Sequence, residues 1–120
     1  MILLFFIGLK YKILKMVKEK SFFVEYFGNL PRIRIIDFLI DNLPYDFSLV
    51  EIAKGAEVAY TTLMDIFPDL LKKGMVKETR KVGKSRMYQL KKENPAIRVM
   101  LAVDLKISEL GIKQALKIPA

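Results

Sequence analysis

Neither cysteine nor histidine occurs among the 120 residues. Their absence excludes zinc fingers and ribbons, disulfide scaffolds, thiol nucleophiles and an imidazole acid or base. With histidine go the commonest general acid/base and the commonest transition-metal ligand, so no enzyme, cofactor or metal site is expected. Long apolar runs are missing too. Met1 to Leu9 spans nine residues, where a membrane helix needs about 20. Asn and Gln are scarce, while sixteen of the 21 basic residues are Lys and Ile is abundant, a bias that resembles a thermophile's. At 52% hydrophobic, the chain can bury one real core, but it is too short for a nucleotide-binding domain plus a substrate domain.

What the chain does have is positive charge in one place. Lys72 to Lys92 holds nine basic residues and one acid, Glu78, which accounts for the whole net charge of +8. Residues 21–71 hold three basic and eight acidic side chains. A smaller basic run, Lys10 to Lys20, sets five Lys against Glu19. A strip of one sign produces a one-sided field, and its simplest partner is a polyanion; the competing reading is a solvated Lys-rich surface.

The first 20 residues form a hydrophobic and basic arm. A secretory signal would carry its charge before the apolar run and a small-residue cleavage site after it, and neither is present. Three readings fit: a start codon set too far upstream, an arm that packs on a partner, and an interfacial membrane anchor. The first is preferred, because Met16-Val-Lys-Glu-Lys reads as an ordinary cytoplasmic start. The expectation is a cytoplasmic protein with no membrane partner.

Residues 21–92 read as a punctuated helical domain. An aromatic segment, Phe22 to Phe27, stops at Gly28. Pro31 suits a first helical turn, with Asn29 as its cap, and Ile33, Ile36, Leu39, Ile40 and Leu43 follow at spacings of three and four. Arg34, Asp37 and Asp41 fall on the opposite side, and Asn42 with Pro44 ends the helix. Ser48 and Glu51 form a capping box that opens a short helix, Leu49 to Lys54, with Ile52 and Ala53 inward. After a turn at Gly55 to Val58, a third helix runs from Tyr60 to Lys73. Its stripe is Leu63, Ile66, Phe67, Leu70 and Leu71, and Gly74 stops it. Pro68 lies inside the stripe and is expected to kink or divide this helix. Two short helices joined by a tight turn describe a helix-turn-helix.

Met75 to Lys81 and Ser85 to Lys92 are strand-like runs around Val82-Gly83-Lys84, hence a β-hairpin. Tyr88, Leu90 and Val76 can anchor its base. Its tip carries Arg80, Lys81, Lys84, Ser85 and Arg86. The expected fold is mainly α with a small β-hairpin (α+β): a winged helix-turn-helix with an extra C-terminal helix. From Phe27 to Val103 the chain resembles small archaeal winged helix-turn-helix transcriptional regulators. The resemblance rests on Phe27-Gly28, Pro31-Arg32-Ile33-Arg34-Ile35, Phe38-Leu39, Ser48-Leu49-Val50-Glu51-Ile52-Ala53, Thr61-Thr62-Leu63, Pro68 inside the third helix, Leu70-Leu71-Lys72-Lys73-Gly74-Met75-Val76, Thr79-Arg80-Lys81-Val82-Gly83 and Met87-Tyr88-Gln89-Leu90, with Asn94-Pro95 opening the last helix. It implies double-stranded DNA as partner, the third helix in the major groove and the wing on the backbone or minor groove.

The expected DNA-binding residues are Tyr60, Thr61, Thr62, Asp65, Arg80, Lys81, Lys84, Ser85 and Arg86. The exposed start of the third helix lacks Arg and Lys, so the bidentate guanine contact is missing there. Thr61 and Thr62 can bond phosphates or meet a thymine methyl, Asp65 can accept from cytosine N4, and Tyr60 can stack. Residues 93–120 form a C-terminal helix from Pro95 to about Leu110, capped by Asn94 and ended by Gly111. From Ala96 to Ile107 only Arg98, Asp104 and Lys106 are polar, and they do not share a face. A helix so apolar is either buried wholly in its own domain or needs a second surface; the second is preferred, a homodimer through Ile97, Met100, Leu101, Val103, Leu105 and Ile107. Beside the DNA-binding regulator stands a winged-helix protein-interaction module of a transcription or replication assembly. An enzyme would have only Asp65 and Asp69, too few ligands for a hard cation.

Overall fold

A computed structural model describes residues 21–117. The expectations for the arm, the Met16 start and the Lys10 to Lys20 run lie outside the described residues. The elements are α1 (Phe22–Phe27), α2 (Pro31–Asp41), α3 (Leu49–Gly55), α4 (Tyr60–Lys72), β1 (Val76–Val82), β2 (Ser85–Leu90) and α5 (Pro95–Ala115).

Local chemistry explains most of the boundaries. Ser48 Oγ accepts from the Glu51 amide and the Glu51 carboxylate accepts from the Ser48 amide, so the capping box opens α3. Asn94 Oδ1 accepts from the amides of Ala96 and Ile97 at the start of α5, and Pro95 takes the first helical position. The Asn94 side-chain Nδ2 donates to the carbonyls of Lys73 and Gly74, at 3.0 and 2.9 Å, which pins the start of α5 to the end of α4. Gly74 and Gly83 adopt φ of +67° and +63°, a region open to glycine but strained for other residues.

One core gathers residues from every helix and both strands, with Ile35, Ile52, Leu63 and Ile97 fully enclosed. Aromatic contacts run across it. Phe38 of α2 lies 4.9 Å from Phe47, and Phe67 of α4 meets Tyr88 of β2 edge-on at the same separation. Phe47 and Tyr88 exchange two backbone hydrogen bonds of 2.8 Å, adding a one-residue third strand to the hairpin.

Several expectations need correction. Leu30, not Asn29, occupies the cap position of α2, and no side chain caps that end. Asn29 instead accepts from Arg34, whose guanidinium also donates to the carbonyls of Ala56 and Glu57 beyond α3. Arg34 is therefore a half-buried brace for the turn between α3 and α4. The third helix is one continuous helix through Pro68, which is exposed between the buried Phe67 and Leu70; packing holds the helix across the missing amide. The hairpin turn is two residues, Gly83-Lys84, because Val82 already pairs with Ser85. Finally, α5 has 21 residues and runs straight past Gly111.

Candidate nucleic-acid interface

The helix-turn-helix and the hairpin face each other across a groove. Its volume is about 290 Å³, and it is lined by Ser48, Leu49 and Val50 at the start of α3, Tyr60 at the start of α4, and Lys84, Ser85, Arg86 and Tyr88 of the hairpin. Thr61 and Asp65 are exposed on α4 beside it, whereas Thr62 is half-buried. The structure thus brings Tyr60 to the same concavity as three of the five hairpin residues.

The hairpin cations are not equivalent. Arg80 is clamped by Asp46 in the loop between α2 and α3: Nε lies 3.0 Å from Oδ2 and Nη2 lies 3.2 Å from Oδ1. The Thr79 hydroxyl donates to the same carboxylate at 2.5 Å. Both partners stabilise the charged carboxylate, with Arg80 the larger cause, and hold the Asp46 pKa below its ordinary 3.8; Asp46 in turn raises Arg80. The share of stability from Asp46 is therefore complete above 3.8 and disappears as pH falls through the depressed folded value. Arg86 pairs with Glu78 across the hairpin at 3.4 Å. Among the described residues, Lys81 and Lys84 make no ion pair, and both are exposed at the tip.

Asp69 forms ion pairs with Lys73 at 3.0 Å and Arg32 at 2.8 Å, which lowers its pKa and ties α2 to α4. A tighter group went unnoticed in the sequence: oxygens of Asp37 and Asp41 on α2 and Asp104 on α5 lie within 4.8 Å of one another. The Ser21 hydroxyl donates to Asp37, and none of the three acids is without a partner. Only tertiary packing makes this group, so no spacing along the chain announces it.

The residues expected at a dimer interface divide. Ile97 is 0% exposed inside its own core, Ile107 is buried, and Met100 and Leu101 pack against the core. Val103 is half-buried, and Leu105 is the one clearly exposed member at 71%. The outward apolar residues are Val99, Leu105 and Leu110. Among the described residues, no helix is long and apolar enough to cross a membrane.

No protein-family model and no curated protein sequence matches the chain. Solved structures do match it. MepR of Staphylococcus aureus, a transcription regulator of the multidrug efflux pump MepA, superposes with a TM-score of 0.58 at 9% identity, over 97% of this chain and 82% of that one. The fold is a winged helix-turn-helix. The MarR family protein Rv2887 of Mycobacterium tuberculosis, in complex with p-aminosalicylic acid, matches with a TM-score of 0.49 at 17% identity, over 94% of this chain and 85% of that one. In the winged helix-turn-helix, α3 and α4 are the helix-turn-helix and β1-β2 is the wing.

Proposed function

We propose that this winged helix-turn-helix binds double-stranded DNA and regulates transcription in the cytoplasm, without catalysis. The observation that carries the reading is the groove in which Tyr60 at the start of α4 meets Lys84, Ser85 and Arg86 of the wing. A helix start and a cationic hairpin on one concavity suit a duplex, whose major groove takes the helix while the adjoining backbone meets the wing. The concentration of the net charge in Lys72 to Lys92 supports it, because phosphate neutralisation is the general source of duplex affinity. MepR, named as a transcription regulator, supports it as well.

Titration with duplex DNA at several salt concentrations tests the reading. Micromolar or tighter binding that weakens steeply with salt is expected. Thr61→Ala and Asp65→Ala should narrow the gap between preferred and random duplexes while leaving the salt slope nearly unchanged, since base contacts release no counterions. No binding even at low salt would transfer the groove to a protein partner. The absence of Arg and Lys from the exposed start of α4 favours that second reading.

A homodimer through the outward face of α5 completes the proposal. Val99 and Leu105, 63% and 71% exposed, are large apolar side chains left mostly open to solvent. Two copies would present two wings and two α4 helices to a near-palindromic site. Sedimentation should give twice the 13.9 kDa chain mass for the wild type, and the chain mass for Val99→Asp with Leu105→Asp. A double variant that stays dimeric would place the contact elsewhere.

A further inference from the structure

The wing is fastened to the loop between α2 and α3 at three points. Phe47 and Tyr88 exchange backbone hydrogen bonds, Gln89 Nε2 donates to the Pro44 carbonyl at 2.7 Å, and Asp46 holds both Thr79 and Arg80. The first two grip β2 near the base of the hairpin. Among the described residues only Asp46 of this loop grips β1, and it does so beside the register shift between Glu78 and Arg80. A bulge of this kind bends a strand and re-aims what lies beyond it. Beyond it lie Lys81, Val82, Gly83 and Lys84, the tip itself.

The clamp is built for geometry rather than for charge. Asp46 is mostly covered, with 17% of its side chain exposed, and it accepts two bonds from the planar guanidinium of Arg80. Two parallel bonds fix direction as well as distance, which one point charge cannot do. The Thr79 hydroxyl takes a further share of the same carboxylate, so three donor atoms from two adjacent residues converge on one acid. Arg80 then offers a phosphate little of its charge, because the acid already neutralises it.

We propose that Asp46 is a positioning residue that sets the direction of the wing through Thr79 and Arg80, and that Arg80 serves as a strut rather than a phosphate anchor. The proposal rests on the DNA-binding reading for its consequence, not for its geometry. It makes a prediction of unusual sign. Removing an acid from beside a DNA-binding surface ordinarily tightens binding, because phosphate repulsion falls. If Asp46 aims the wing, Asp46→Asn instead weakens binding, although the net charge becomes more positive.

The experiment pairs a binding titration with amide hydrogen exchange, using the full chain and a labelled random-sequence duplex. Asp46→Asn should bind about fivefold more weakly at fixed salt, as expected for losing a well-formed bidentate pair. Its salt slope should match the wild type, and the amides of residues 79–86 should exchange faster while those of α4 do not change. Asp46→Asn combined with Arg80→Gln should bind no more weakly than the weaker single variant, since both remove the same clamp. A melting temperature near the wild-type value separates lost aim from lost fold. Unchanged or tighter binding by Asp46→Asn overturns the proposal, and so does weaker binding with unaltered exchange in the hairpin. If the wild type binds no duplex at the lowest salt, the DNA reading fails, and the exchange measurement still decides whether Asp46 holds the wing.

Discussion

Lys81→Glu combined with Lys84→Glu is expected to weaken duplex binding on the order of a hundredfold at moderate salt and leave the fold intact. These two lysines sit at the wing tip, exposed and without an ion pair among the described residues, so their charge is fully available to phosphate. Each neutralised phosphate releases a condensed counterion. Replacement by Ala should therefore lower the slope of log affinity against log salt by about 0.9 per lysine, and Glu should add repulsion to that loss. The fold should survive, because exposed residues away from caps and cores seldom change stability by more than about 0.5 kcal/mol. Arg80→Ala is the contrast: affinity should fall through a misaimed wing while the slope stays put. Filter binding across a salt series reads both quantities. An unchanged slope for Lys81→Ala with Lys84→Ala would remove the wing as the anchor.

That contrast was only half visible in the sequence. Charge arithmetic located the wing, and the pairing of strands around Gly83 located its tip, because both signals act over a few neighbouring residues. The capping box of Ser48 and Glu51, the Asn94 cap and the Gly74 stop were legible for the same reason. Arg80 looked like any other wing cation. Its partner Asp46 lies 34 positions earlier, and no local pattern links the two. Arg34 likewise looked like a solvent-facing residue, yet its acceptors at Ala56 and Glu57 lie 22 and 23 positions away. In each case a cation that periodicity assigns to water finds an oxygen that only the tertiary fold supplies.

Gly111 shows the same limit for a glycine. Read locally, a glycine after an apolar stretch stops a helix, yet here the helix continues to Ala115. A mid-helix glycine costs about 1 kcal/mol relative to alanine, so a reason must lie outside the helix. The reason is Phe22. Three atoms of its ring lie 2.6 Å from where a Cβ on Gly111 would sit, so the ring rests directly on the backbone of α5. Phe22 opens α1, so this contact is part of what docks α1 on α5.

Gly111→Leu should therefore destabilise the domain by about 2–3 kcal/mol, since the added side chain must expel the ring from its place. Helix propensity alone predicts the opposite sign, a gain of about 1 kcal/mol. Chemical denaturation distinguishes them. Phe22→Ala should weaken the wild type by removing the contact, and in the Gly111→Leu background it should cost less, because the ring has already been displaced. Thermal melts of the four proteins close that cycle. A strictly additive cycle, or a Gly111→Leu variant more stable than the wild type, would mean that α1 is not seated on the backbone of α5 at this glycine.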